Sequence, residues 1–221
     1  RERRSWEICA ASIIKHAKIP PSITPIGIST LGTCYRRKTE VRDGKLFDVI
    51  SQAPMSTEFA LARFFVPFVA KSNICLFVDC DFLFRSDVTE LMDFADHRKA
   101  VSVVKHDYHP TDTVKMDGQV QTDYERKNWS SFMLFNLTHA KNKALTYEFA
   151  NEKKGLWLHQ FKWLKDEEIG EIPQEWHWID GTEPITNPKG VHLTRGTPDM
   201  PGYENTLYAY EWWKYDYSRK S

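Results

Sequence analysis

Residues 74–84, ICLFVDCDFLF, form an apolar run broken by two aspartates one residue apart. Ile74, Leu76, Phe77 and Val78 have the character of a buried strand. A buried strand has little reason to carry Asp79 and Asp81 unless the chain leaves the core there. In α/β sheets, functional side chains gather just beyond the carboxyl ends of strands, and the pair marks such an end. In extended chain, positions i and i+2 point to the same side. Two like charges that close repel, unless a cation lies between them or one takes a proton. Hard divalent ions such as Mg²⁺ and Mn²⁺ bind one or two carboxylates together with substrate phosphates. The motif is short, and a strand-end turn with two solvated acids has the same appearance.

What surrounds the run sets the class. A strand is expected at "SITPIGI", then a polar loop over residues 32–55 that includes Arg36-Arg37-Lys38 and Asp43-Gly44. A helix is expected over "STEFALARFFVPFVAK", capped at Ser56 or Thr57 and kinked or ended by Pro67. Asp87-x-x-Glu90 has the shape of a capping box. Further strands are expected at 100–104, 131–136, "EWHWI" and "GVHLTRG". Helices are expected at the N-terminus up to Pro20-Pro21, from Thr138 to near Gly155, and at "HQFKWL". Strands alternating with helices predict an α/β domain whose mixed, largely parallel sheet is flanked by helices. At 221 residues a single domain spanning 1–221 is the natural reading. Thirty basic and thirty acidic side chains cancel to a formal charge of zero, which argues against a strongly electrostatic nucleic-acid binder. Cys9, Cys34, Cys75 and Cys80 make no C-x-x-C pair and read as reduced core residues of an intracellular, cytoplasmic protein. No apolar run is long enough to span a bilayer.

The D-x-D strand resembles that of the GT-A glycosyltransferases. "STEFALARFFVP", "LFVDCDFLF", "YERKNWSSFMLFN", "DEEIGEIPQEWHWI" and "VHLTRGTP" occur in an order similar to bacterial and phage proteins related to glycosyltransferase family eight. The resemblance implies a GT-A (Rossmann-like) fold and a metal-dependent transferase using Mn²⁺ or Mg²⁺. Its donor would be a nucleotide-diphosphate sugar, a UDP-sugar being favoured, and the outcome retention of configuration. It assigns Asp79 to ribose and metal, Asp81 to the metal and to catalysis, and His192, at a strand end, to the metal. Arg195 is the nearest cation to the diphosphate, at a place where the family offers a lysine. The resemblance also implies donor contacts from Arg63 and from Ser130 and Ser131, whose turn lacks the family's usual glycine. Gln160, following His159, falls near the reacting carbon, where the family has Asp-Gln. A strand preceding Arg1 is expected by the same analogy.

Other residues carry weaker signals. His106 and Asp107 follow a strand end, Asp166-Glu167-Glu168 form an acidic run, and Trp176 and Trp178 alternate so that one of them is available to stack on a sugar. The acceptor is a glycan or lipid by default, with a modified base in DNA as the alternative. Two rivals remain. A haloacid-dehalogenase-like phosphatase also places D-x-D after an apolar strand, but follows it with Thr or Val where this chain has Leu83, and no downstream acidic pair completes its site. The other is a non-catalytic relative that binds a sugar nucleotide or carbohydrate without turnover.

Overall fold

A computed structural model describes residues 2–107 and 124–217. The strands in chain order are β1 (Thr39–Arg42), β2 (Lys45–Asp48), β3 (Ala53–Pro54), β4 (Ile74–Val78), β5 (Phe82–Phe84), β6 (Val101–Val103), β7 (Phe132–Asn136), β8 (Ile169–Glu171), β9 (Trp178–Ile179) and β10 (Gly190–His192). The chain divides into two compact units, each gathered from separate stretches. The expectation of a strand before Arg1 lies outside the described residues.

One unit comprises Arg1–Thr24, Val78–Asp93 and Ile172–Ser221. Its sheet has the order β5-β10-β9, with β10 antiparallel to β5 and parallel to β9. The helix Glu2–His16 turns Ser5, Ile8, Cys9, Ser12 and Ile13 inward, the i, i+3, i+4 spacing of one helical face. Ser12 fastens that helix to the sheet: its hydroxyl donates to the Cys9 carbonyl at 2.7 Å and accepts from Phe84 N–H at 3.0 Å. Ile8, Leu83, Trp178, Val191, Leu193 and Trp212 form the apolar centre of this unit. Asp87 opens the 3₁₀ segment Val88–Phe94, accepting from the N–H and hydroxyl of Thr89. Glu90 does not complete a capping box; its carboxylate pairs with Lys189 at 2.9 Å.

The other unit comprises Pro25–Phe77 and Phe94–Glu171. Its larger sheet runs β4-β7-β6-β8, with β6 antiparallel to β7 and parallel to β8. Every residue of β6 and β7 is buried. These two sheets are mixed, a third, smaller sheet is antiparallel, and the architecture is α/β.

Several local expectations give way for physical reasons. "SITPIGI" makes no strand; Pro21 and Pro25 lack the N–H groups a ladder needs, and the segment ends in the helical turn Ile28–Leu31. The loop at 32–55 contains a three-stranded meander, β1-β2-β3, turned at Asp43-Gly44 with φ of +49° and +74°. The helix expected over 56–71 is a 3₁₀ turn, Ala62–Phe65, followed by Val66–Val69. Pro67 sits in the first turn of that second piece, where its missing N–H costs nothing. The span from Thr138 breaks into Ala140–Ala144, Tyr147–Glu152 and Gly155–His159. Thr146 caps the middle piece by accepting from Phe149 N–H at 3.2 Å, and Gly155 opens the last piece instead of closing the first.

Candidate metal and donor site

The antiparallel register of β5 and β10 sets His192 opposite Phe82, and the Leu193 N–H donates to the Asp81 carbonyl at 3.0 Å. The ladder thus carries the last residue of β10 to the acid that precedes β5. His192 Nε2 lies 3.2 Å from Asp81 Oδ1, with the imidazole 3% exposed and the carboxylate 29% exposed. One ligand atom from each of Asp79, Asp81 and His192 lies within 4.8 Å of the others. Metal–ligand bonds of about 2.0–2.2 Å give one coordination sphere nearly that span. Two carboxylates and one imidazole fit a divalent cation that prefers oxygen and accepts nitrogen.

Cys80 lies between the two acids in the chain, and Cys9 is buried on the first helix. Burial pushes the Cys9 and Cys80 thiols up, and the charge of Asp81 pushes both further in the same direction. Burial raises the Asp180 carboxyl above the usual carboxylate range, and the charge of the exposed Arg195 only partly opposes that shift. Asp180 is itself tied to the site strand, its N–H donating to the His192 carbonyl at 3.0 Å.

A second cluster gathers in the other unit. Arg63 is half-buried; its Nε donates to the Ala60 carbonyl at 2.8 Å and a terminal nitrogen donates to the Ser130 carbonyl at 2.9 Å. The guanidinium also lies 5.3 Å from the Phe77 ring centroid. Ser130 Oγ meets His159 Nδ1 at 2.7 Å, and Ser131 Oγ donates to the Asn128 carbonyl at 2.6 Å. Gln160 closes the helix Gly155–His159, and Arg126 donates to its carbonyl at 2.5 Å while also pairing with Asp166. Arg63, Ser130, Ser131 and Gln160 are thus brought together, with His159 and Arg126 as connecting residues. Three residues around this cluster lie in the left-handed region, Arg126 with φ +60°, Asn128 +66° and Phe161 +53°. Such conformations cost about 1–3 kcal/mol each and concentrate where function demands them.

Trp176 and Trp178 are 0% and 5% exposed, so neither is available to stack on a sugar. Trp178 directs its indole N–H to the Glu183 carbonyl at 3.0 Å. The His106 carbonyl accepts from Trp129 Nε1 at 2.9 Å, which places the 104–107 segment against the Ser130 turn. Of the acidic run, Asp166 reaches Arg126 and Glu167 faces solvent. His177 was not singled out by its sequence: it is fully buried and its Nε2 lies 2.9 Å from His192 Nδ1. The only signal was two histidines, each beside a short strand rich in Trp or Val, and nothing in the letters says that those strands pair.

No protein-family model matches the chain. It is 41% identical to Protein CDI of Arabidopsis thaliana over 222 aligned positions, covering 96% of this chain and 81% of that protein. Among solved structures it is similar to the glycosyltransferase GlyE of Streptococcus pneumoniae TIGR4, with a TM-score of 0.57 at 14% identity. That likeness covers 97% of this chain but only 58% of GlyE. It is similar also to an active-site mutant of LgtC, with a TM-score of 0.55 at 12% identity over 98% of this chain and 93% of that one. The fold is that of the GT-A glycosyltransferases.

Proposed function

The chain belongs to the family of Protein CDI of Arabidopsis thaliana, and from that premise we propose that it is a metal-dependent glycosyltransferase moving a sugar from a nucleotide-diphosphate donor to an acceptor hydroxyl. The observation that carries this reading is the convergence of Asp79, Asp81 and His192 at one place in a GT-A fold. Among the described residues no helix is long and apolar enough to cross a membrane.

Asp79, Asp81 and His192 would hold Mn²⁺ or Mg²⁺. When bound, such an ion supplies a Lewis acid that neutralises the diphosphate as the glycosidic bond breaks. Asp79 also orients the ribose, and Arg195 offers its exposed guanidinium to the departing diphosphate, where it stabilises developing charge. The same proposal gives Arg63, Ser130 and Ser131 to the donor and Gln160 to the surroundings of the reacting carbon. Support for this second group is their clustering and the left-handed backbone around them. Membership of glycosyltransferase family eight, retention of configuration and a UDP-sugar donor rest on the motif resemblance. A glycan or lipid is the acceptor in this reading. A modified DNA base has no observation in its favour, since the chain carries no net charge.

The test is product identity. The protein is incubated with Mn²⁺, a panel of nucleotide sugars and candidate acceptors, and products are identified by mass spectrometry. A transferase releases nucleoside diphosphate and yields an acceptor heavier by one sugar. Inorganic phosphate released in place of these products would indicate a phosphatase. Binding of the donor without any product would indicate a non-catalytic relative.

A further inference from the structure

We infer that His177 is the positioning residue of the metal site: it accepts the Nδ1 proton of His192 and so leaves His192 Nε2 as a bare lone pair facing the ion. The inference rests on the metal-dependent reading above and extends it to a residue that lies outside the ligand set.

His177 is 0% exposed and His192 3% exposed, so neither ring has water to satisfy it. Their nitrogens meet at 2.9 Å, His177 Nε2 against His192 Nδ1. Between two neutral imidazoles one nitrogen must donate and the other accept. The pair alone allows either assignment. A cation bound on the far side of His192 breaks the symmetry. Its Nε2 lies 3.2 Å from Asp81 Oδ1, within the cluster that also includes Asp79. Coordination needs a lone pair at Nε2, which puts the proton on Nδ1 and makes His177 Nε2 the acceptor. His177 then carries its own proton on Nδ1. A metal-binding histidine whose other nitrogen is held in this way keeps its tautomer and ring orientation while the ion is bound.

The backbone is built to bring the rings together. β9 and β10 run parallel with Trp178 opposite Val191 and Ile179 opposite His192, so His177 enters β9 beside the start of β10. Gly190 permits the approach, since a Cβ there would lie 2.1 Å from the Trp176 carbonyl oxygen. Phe82 then stacks on His192 with centroids 4.5 Å apart and planes 16° from parallel, and packs on His177 at 4.9 Å. Both rings are held by packing as well as by their shared proton.

Ordinary core packing needs only volume at position 177, whereas positioning needs an acceptor. Mn²⁺ binding, followed by electron paramagnetic resonance, separates the two for the full chain and for His177→Phe, His177→Gln and His192→Ala. His177→Phe fills the space without an acceptor and should weaken Mn²⁺ binding roughly 10–100-fold. His177→Gln offers a carbonyl oxygen near the Nε2 position and should bind within about threefold of the parent. Parent-like Mn²⁺ affinity in His177→Phe, with His192→Ala impaired, overturns this inference and leaves the metal site standing. Absence of Mn²⁺ binding by the parent protein overturns the metal site itself. A second readout needs no variant. With ¹⁵N-labelled histidine and Mg²⁺, nuclear magnetic resonance should show His192 protonated at Nδ1 and bare at Nε2. A proton on His192 Nε2 would contradict the inference.

Discussion

Arg63 divides its guanidinium between two carbonyls, those of Ala60 and Ser130. It therefore fixes the serine turn whether or not it touches a donor. Lysine can keep only one of those bonds, because its ammonium lacks the planar fork. Arg63→Lys should lower stability by about 1–2 kcal/mol, or roughly 2–8 °C in Tm, and lower donor turnover about tenfold. Thermal unfolding beside donor kinetics checks both, and unaltered kinetics would remove Arg63 from the donor site. Tyr35 gives a pH prediction. Burial raises its phenol to about 12, the charge of Arg37 pulls it down, and Asp48 and Glu58 push it up. The unfolded value is about 10, so between pH 10 and 12 the folded state holds the proton that the unfolded state has lost. Stability from this group is complete below about pH 10 and falls as pH rises toward 12, by at most about 1.4 kcal/mol per pH unit. Unfolding midpoints across this range should fall less steeply in Tyr35→Phe. An equal slope in the two proteins would show that Tyr35 is not responsible.

At the scale of elements, short strands and helix ends do the positioning. Gly190→Ala places a methyl on the Trp176 carbonyl. Overpacking of this kind costs about 1–3 kcal/mol, so β9 and β10 should separate, with a Tm loss of roughly 2–12 °C and weaker Mn²⁺ binding. A fully stable variant would show that the strands adjust without cost. Arg37 and Asp48 form a pair 0% and 2% exposed at 2.6 Å. The guanidinium also binds the carbonyls of Ala150, Asn151 and Lys153, closing the helix Tyr147–Glu152 with a positive charge where its dipole is negative. Asp48→Ala leaves that cation buried without its counter-ion and should cost about 3–5 kcal/mol in a urea unfolding experiment. A loss within about 0.5 kcal/mol would mean that the carbonyls suffice. The meander holding this pair was legible and went unread. Asp43-Gly44 between "TEVR" and "KLFD" is a strong hairpin signal, yet the charged letters on either side suggested a loop. Nothing local could show that Arg37, in a run of three cations, would be buried, because the three carbonyls it binds lie more than a hundred residues away.

For the whole molecule, the class and the two acids at a strand end were legible because they depend on features that sequence writes down directly, whereas His192 was singled out by the family resemblance. The β4 run ends where the acids begin, and β6 and β7 are short, mainly apolar stretches that form buried strands. The longer helices expected at 56–71 and 138–155 were not realised, because helical spacing does not reveal where tertiary contacts favour a 3₁₀ turn or a new cap. His177 was hidden for a related reason. Its role depends on strand pairing across residues 177–192, and a lone buried histidine looks the same in sequence whether or not its partner ligates a metal. The central claim is that Asp79, Asp81 and His192 hold a divalent ion on which glycosyl transfer depends. The most direct measurement is release of nucleoside diphosphate from a turned-over nucleotide sugar, followed before chelation, after exhaustive chelation and after Mn²⁺ is restored, in the parent and in Asp81→Asn. The account predicts that chelation abolishes turnover, that Mn²⁺ restores it in the parent, and that Asp81→Asn stays at least about a hundredfold slower throughout, roughly 2.7 kcal/mol of barrier. Turnover that survives strong chelation, or that Asp81→Asn sustains at the parent rate, would contradict it.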